Sequence, residues 1–395
     1  MFIKDFDLPS LAAAGAIYLI AAFLILQLPL SSASRIVLSL VNIAGTYFMF
    51  FASDGPLNFA CYFAWVGICY LCMSLHHRMQ LRLTYLVSLS APIVWLLSCK
   101  LSLLPAWLGI SYMSFRLSYL VYEYQIRRIE LPPFWKYAGF AFFPLTLPIG
   151  PISPYSMYSK SVEEWRPFSF AEGNQSLSRI LLGMAKYVVL SRLCGPLSLN
   201  ADWFATKGNC HGILDILVAS SCTYLNLYLQ FSGACDIIIG CAGLLRIKAM
   251  ENFNDPLFAR NPQEFWQRFH ISLYRYLHDI VFLPLSILFG RRIGAIHGTA
   301  LAAFLTLLLA GLWHGFAWNF AILGVIHGLG IVVFFYFSRC VKYLNPQTQE
   351  YLKSSRALKV ISTAGTFLYV SLSMIFFAYK IEEIPRVFQK FQLIW

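Results

Sequence analysis

The chain has 395 residues, 58% hydrophobic and 12% charged, with a mean hydropathy of +0.63. Soluble domains carry about a quarter charged residues, so this composition excludes a water-soluble fold and makes a polytopic membrane protein the default. The net charge is +12, but the Lys and Arg residues sit in short loops between apolar runs. That is the positive-inside pattern of a membrane protein, and no nucleic-acid partner is expected.

In chain order, the first apolar run covers 8–30. It is long enough to remain as a spanning helix, and the pattern of a cleavable signal is not evident. Further runs follow at 36–53, 57–75, 83–99, 101–122, 134–152 and 178–198. Two longer runs, 211–245 and 295–337, contain no Lys or Arg. A crossing needs about 20 residues, so each is expected to hold two segments, or one span and a broken element. Runs at 276–290 and 357–379 complete the set. The expected fold is an all-α polytopic membrane protein, one integral-membrane domain over 1–395 with about 10–12 transmembrane or re-entrant helices.

Loop charges orient it. Arg35, Arg78 and Arg82 fall in alternate turns and predict a cytoplasmic face there, with the N-terminus and Asp54 outside. His76 and His77, in the same turn as Arg78, read as a solvated pair. The ten cysteines are scattered, with Cys61, Cys69, Cys72 and Cys222 inside apolar runs. No disulfide framework and no metal site are expected.

The most polar stretch is 246–279, and Asn261-Pro262 with Glu264 resembles a helix start. Beyond it Phe265, Phe269, Leu273 and Tyr276 recur about once per turn. They predict one amphipathic helix lying along the interface, or else a basic cytoplasmic loop. Seven basic residues between Arg246 and Arg292 suit an anionic partner.

The run "LLLAGLWHGFAWNF" places His314 between apolar neighbours, where a titratable group is expensive. A histidine suits the role of general base, and burial would keep it neutral. A histidine hydrogen-bonded to a neighbouring helix fits equally. Gly311 and Gly315 serve either close helix packing or close substrate approach. Trp313 and Trp318 line a pocket or pack. Asp236 lies in an uncharged run and calls for a polar partner such as an arginine or histidine.

The ordered set FSG-x-x-D (231–236), ENFN-x-P (251–256), EFW-x-R-x-HISL (264–273) and GLWHG (311–315) resembles the membrane-bound O-acyltransferase family. The similarity is to its bacterial envelope branch: alginate and peptidoglycan O-acetyltransferases, and the D-alanyl transfer protein of teichoic-acid modification. Weaker similarity covers "GISYMSFR" (109–116) and "FFPLTLPIGPI" (142–152). The resemblance implies helices ringed around a thinned centre, with a funnel and a tunnel meeting near the catalytic histidine. It implies His314 as that histidine, with His327 as a second recurring one. It implies Trp313, Asn252, Asn254, Arg268, His270 and Asp236 as substrate-binding candidates. The implied donor is an acyl thioester, acetyl-CoA or an acyl carrier protein, with no bound cofactor. The implied partners are membrane lipids and an extracytoplasmic protein that accepts the acyl group. "ISYMSFR" leans toward the D-alanyl branch, and "GLWHGFAWNF" and "FLPL" toward the O-acetyl branch. His278 stands where the family usually has an arginine. A proton-coupled transporter would also use intramembrane His and Asp, but it predicts inverted repeats, and none is evident.

Overall fold

The computed structural model describes residues 8–28, 31–105, 107–164, 167–199 and 212–385, and 80% of it is helix. The helices are α1 (Leu8–Gln27), α2 (Ser32–Phe50), α3 (Pro56–Met79), α4 (Arg82–Lys100), α5 (Ile110–Gln125), α6 (Phe134–Ala141), α7 (Tyr155–Glu163), α8 (Phe170–Met184) and α9 (Ser191–Cys194). They continue as α10 (Ile213–Leu244), α11 (Pro262–Arg268), α12 (Ile271–Leu277), α13 (Leu283–Ile293), α14 (Ala295–His314), α15 (Trp318–Val341), α16 (Pro346–Ser354) and α17 (Arg356–Ala378). Among the described residues, nine helical stretches are long and apolar enough to cross a membrane, and the apolar part of α1, Ala12–Gln27, is shorter. The chain is thus an all-helical, multi-pass membrane protein.

Three expected spans come out differently. The run 101–122 is divided by a loop, and only Ile110–Gln125 is helical. The run 134–152 holds the short α6 and then turns, because Pro144, Pro148 and Pro151 interrupt helix formation. The run 211–245, expected to break, is one helix of 32 residues. Its glycines, Gly233, Gly240 and Gly243, are tolerated within it. The run 295–337 does divide, into α14 and α15.

The chain forms two compact units, Met1–Gly183 with Ala234–Met250, and Met184–Gly233 with Glu251–Trp395. The first is organised by polar groups buried between its helices. Asn42, fully buried on α2, accepts from Tyr18 Oη (2.9 Å) and donates to Gly139 O (2.8 Å) and Tyr158 Oη (2.9 Å). Thr46, one turn on, donates to Phe142 O at 2.7 Å. These bonds hold α2 against α6, and a Cβ on Gly139 would meet Ser39 Cβ at 2.8 Å. Glu123 on α5 accepts from the backbone N–H groups of Tyr155 (2.7 Å) and Ser156 (3.3 Å), so it caps the start of α7. Within the same unit, Asp236 meets Arg179 at 3.1 Å, the partner its apolar setting required. His76 is not solvated: it is buried, with Nδ1 3.1 Å from Thr84 Oγ1 and Nε2 2.8 Å from Gln125 Oε1. The reason is that α3 continues to Met79, which turns His76 inward while His77 stays exposed beside Tyr124.

The second unit has a core of Tyr224, Phe265, Val370 and Met374, with Phe269 and Phe367 packed against it. The predicted helix start at Asn261 is present. Asn261 Oδ1 accepts from Glu264 N (2.8 Å), and Glu264 accepts from Arg260 N (2.8 Å). The single amphipathic helix expected beyond it is two helices. His270 adopts φ +51° between α11 and α12 and breaks the run. Phe265, Leu273 and Tyr276 are buried all the same.

Asn42 satisfies three polar partners at once, so Asn42→Ala should leave buried groups unmatched and cost about 1–3 kcal/mol. Denaturant or thermal unfolding of the purified protein in detergent checks this. An unchanged midpoint would remove Asn42 as the brace of the first unit.

Candidate active site

The site in the second unit is built on a tight crossing of α14 and α15. A Cβ on Gly311 would lie 2.8 Å from Gly324 Cα and would also collide with Phe320 O, and a Cβ on Gly324 would lie 2.8 Å from Leu308 Cα. Two side-chain-free positions therefore face each other, and the backbones approach where side chains would keep them apart. Of the two roles open to Gly311 in the sequence, close packing is the one observed.

α14 ends at His314, and α15 begins at Trp318 after a three-residue connection. This placement corrects the expectation of burial: the His314 side chain is exposed, because the apolar run breaks there and does not continue through it. Its ring lies 4.7 Å from that of Trp313, stacks on Phe320 at 5.8 Å and meets Phe377 edge-on at 5.3 Å. Phe377 comes from α17, far along the chain and outside any motif. Three polar bonds tie α17 to α15: Asn319 Nδ2 to Phe376 O (3.0 Å), Tyr369 Oη to Ile326 O (2.8 Å), and His327 Nε2 with Ser373 Oγ (3.1 Å).

His270 is the second histidine of the site. It is buried, with its ring edge-on to Phe231 at 4.8 Å and to Trp313 at 6.3 Å. Burial, and secondarily the nearby His314, lower its pKa to about 3. His270 is therefore a neutral imidazole at physiological pH. Trp313 touches both rings and links His314 to His270.

His327 is placed differently. It is buried between Phe265 (6.1 Å, stacked), Trp266 (5.3 Å) and Tyr369 (5.4 Å). Ser373 gives its hydroxyl proton to Val370 O at 2.7 Å, so the His327–Ser373 bond needs the ring to donate from Nε2. Its surroundings are those of a core histidine.

Of the remaining candidates, Asn252, Asn254 and Arg268 hold the segments around α11 and α12. Asn252 is fully buried: its Oδ1 accepts from Ser272 N (3.1 Å) and its backbone O from Ile271 N (2.9 Å). These bonds satisfy the first N–H groups of α12, next to the strained His270. Asn254 is exposed and its N–H donates to Arg268 O at 3.0 Å, beside an isolated antiparallel bridge, Phe253–Phe269. Arg268 pairs with Glu264 at 2.7 Å and reaches Asp255 O at 3.4 Å. Asp236 belongs to the first unit, paired with Arg179. His278 Nδ1 lies 2.9 Å from Asp279 Oδ1 in a π-helical turn.

Fold and site together define a multi-pass membrane protein that presents a histidine at a break between two apolar helices. The model of MBOAT, the membrane-bound O-acyltransferase family, matches residues 46–378, and the chain belongs to this family. The peptidoglycan O-acetyltransferase of Helicobacter pylori is 29% identical over 255 residues, 64% of this chain and 45% of that protein. A probable alginate O-acetylase of Azotobacter vinelandii is 31% identical over 232 residues, 57% of this chain and 44% of that protein. The teichoic acid D-alanyltransferase of Streptococcus thermophilus is 25% identical over 284 residues, 69% of this chain and 68% of that protein. The chain thus spans less than half the length of the two O-acetyl relatives.

The low pKa of His270 predicts acid sensitivity. The unfolded ring takes up its proton near pH 6.5 and the folded ring only near pH 3, so the unfolded state binds more protons between these values. The His270 contribution is whole above pH 6.5 and is lost as pH falls toward 3. His270→Gln should flatten the fall of stability with acid over that window, measured as unfolding midpoint against pH. Identical slopes for the two proteins would contradict the buried neutral ring.

Proposed function

We propose that this protein moves an acyl group, an acetyl group in the reading favoured here, from a cytoplasmic thioester to a hydroxyl outside the membrane. The acceptor is an envelope polysaccharide, or an extracytoplasmic partner protein that completes delivery. His314, presented at the break between α14 and α15, is the observation that carries this reading. In this scheme His314 takes the proton of the acceptor hydroxyl, the hydroxyl oxygen bonds to the acyl carbon, and the carbon–sulfur bond breaks. The thiol leaves with a proton returned from the histidine. His270, neutral and joined to His314 through Trp313, orients the ring and offers an imidazole to the reacting group. Trp313 and His270 are the substrate-facing residues of the proposal. Asn252, Asn254 and Arg268 hold α11 and α12 in place around them. His327 supports α15 against α17.

The donor is acetyl-CoA or an acyl carrier protein, and the plasma (inner) membrane, with the N-terminus outside, is the proposed setting. Phosphates or acidic side chains on the donor suit the basic residues between Arg246 and Arg292. Of these, Arg246 is buried, Arg268 is ion-paired and Arg275 is half-buried, while Arg260, Arg291 and Arg292 are exposed in the second unit. The D-alanyl reading is the second one. It is favoured by the larger share of both chains that aligns with the Streptococcus thermophilus D-alanyltransferase.

Mass spectrometry of envelope polymers from cells with and without this protein separates the readings. Loss of an acetyl ester supports the first, loss of a D-alanyl ester the second, and unchanged polymers contradict both. Donor binding should also weaken with salt, since exposed charges are screened beyond about 8 Å at physiological ionic strength. Binding indifferent to salt and to charge reversal at Arg260, Arg291 and Arg292 would remove the electrostatic recruitment of the donor.

A further inference from the structure

The motif "GISYMSFR" is not used by the site above, and its last residue, Arg116, is the largest fully buried side chain among the described residues. It sits on α5 in the first unit, 1% exposed. Its Nη2 donates to Phe140 O, and its guanidinium carbon lies 4.5 Å from the centre of the Phe140 ring. Nothing else answers its charge. Among the described residues no carboxylate forms an ion pair with it, and its Nε and Nη1 have no hydrogen-bond acceptor. The titratable groups whose fields act on it are the hydroxyls of Tyr158, Tyr62 and Tyr18, none of which is anionic at physiological pH.

The surroundings share one character. Tyr62, fully buried on α3, has an Oη with no partner. Its ring touches Trp65 at 5.5 Å and Trp107 at 5.3 Å, and the Nε1 of each indole is also buried without an acceptor. Guanidinium and indole groups donate only, and a phenol donates readily. The first unit thus places Tyr62, with Trp65 and Trp107 packed on its ring, within electrostatic reach of one uncompensated cation. A lone buried charge is costly, and each unmatched buried donor adds to the cost. A core Asp or Glu would offset this, and the nearest acid along α5, Glu123, is taken by the start of α7. Such a set matches a tetrahedral oxyanion, whose several oxygens accept from guanidinium, phenol and indole together.

We propose that the first unit holds an oxyanion site centred on Arg116 and Tyr62, which takes a phosphate group, either free or on a phospholipid headgroup. It is separate in the chain from the residues around His314 and does not depend on which acyl group is transferred. The phosphate neutralises Arg116 and ties α3 to α5, so occupancy stabilises the first unit.

The test uses the full chain in detergent and in vesicles. Radiolabelled inorganic phosphate is followed by equilibrium dialysis. Native mass spectrometry follows lipid retained from phosphatidylcholine vesicles with or without phosphatidylglycerol. Wild type should hold about one phosphate or one phospholipid per chain and melt at a higher temperature with it than without it. Arg116→Gln should weaken this binding at least tenfold. Tyr62→Phe should weaken it several-fold, and it keeps the test valid if Arg116→Gln does not fold, because it removes only a hydroxyl that bonds to nothing in the protein. Phosphate bound in dialysis identifies a free ion, and phosphatidylglycerol retained without it identifies a lipid; both support the site. Two results overturn it: no phosphorus bound by wild type in either arm, or equal binding by wild type and Tyr62→Phe.

Discussion

The crossing of α14 and α15 at Gly311 and Gly324 is the constraint on which the candidate site depends. Two helices that meet without Cβ atoms between them hold a fixed separation, because any side chain at either position collides with backbone. That separation sets the connection Gly315–Ala317, and the connection sets where His314 points. It also explains why the histidine is affordable in an apolar sequence. The ring is carried at the end of α14, at the break before α15, so the middle of a helix does not have to accommodate it. The rest of the second unit supports this arrangement. Asn319, His327 and Tyr369 fasten α17 to α15, and α17 brings Phe377 against His314. Asn252 fastens the start of α12, and this keeps His270 in its left-handed conformation beside Trp313.

The two units illustrate different uses of buried polarity. In the first, Asn42, Thr46 and Glu123 join helices whose outer faces are apolar, and hydrogen bonds supply the specificity that hydrophobic contact between greasy helices lacks. In the second, polar bonds are concentrated around one exposed ring. The pairing of Asp236 with Arg179 belongs to the first use: an acid in an uncharged run is held by a base from another helix and acts as a structural tie.

Much of this was legible in the sequence. Length and hydropathy gave the spans where Lys, Arg or Gly-rich breaks bounded them, as at Ser32–Phe50, Pro56–Met79 and Arg356–Ala378. The capping pattern at Asn261 and Glu264 located the start of α11. The ordered motifs pointed to His314, Trp313 and His270 together. Other features were not legible for physical reasons. Prolines in 142–154 turn an apolar run into loops, yet its hydropathy equals that of a span. The 32 residues of α10 continue as helix because nothing in them stops it, and a length argument has no sight of that. Phe377 and Ser373 reach the site through tertiary contacts alone, so no local pattern marks them. His327, thirteen residues from His314, shares its apolar setting, and only its partners Ser373 and Phe265 reveal a core residue.

The central claim is that His314 is the base of an acyl transfer on a scaffold that holds it from outside the reaction. Purified protein in vesicles, given a thioester donor labelled in its acyl group and an acceptor hydroxyl, measures it most directly. His314→Ala should fold with an unchanged melting temperature and transfer label about 10²–10⁴ times more slowly, the usual loss for a positioned general base. His327→Ala, the comparison, should lower the melting temperature more than the rate. Transfer by folded His314→Ala within a few-fold of wild type would contradict the account.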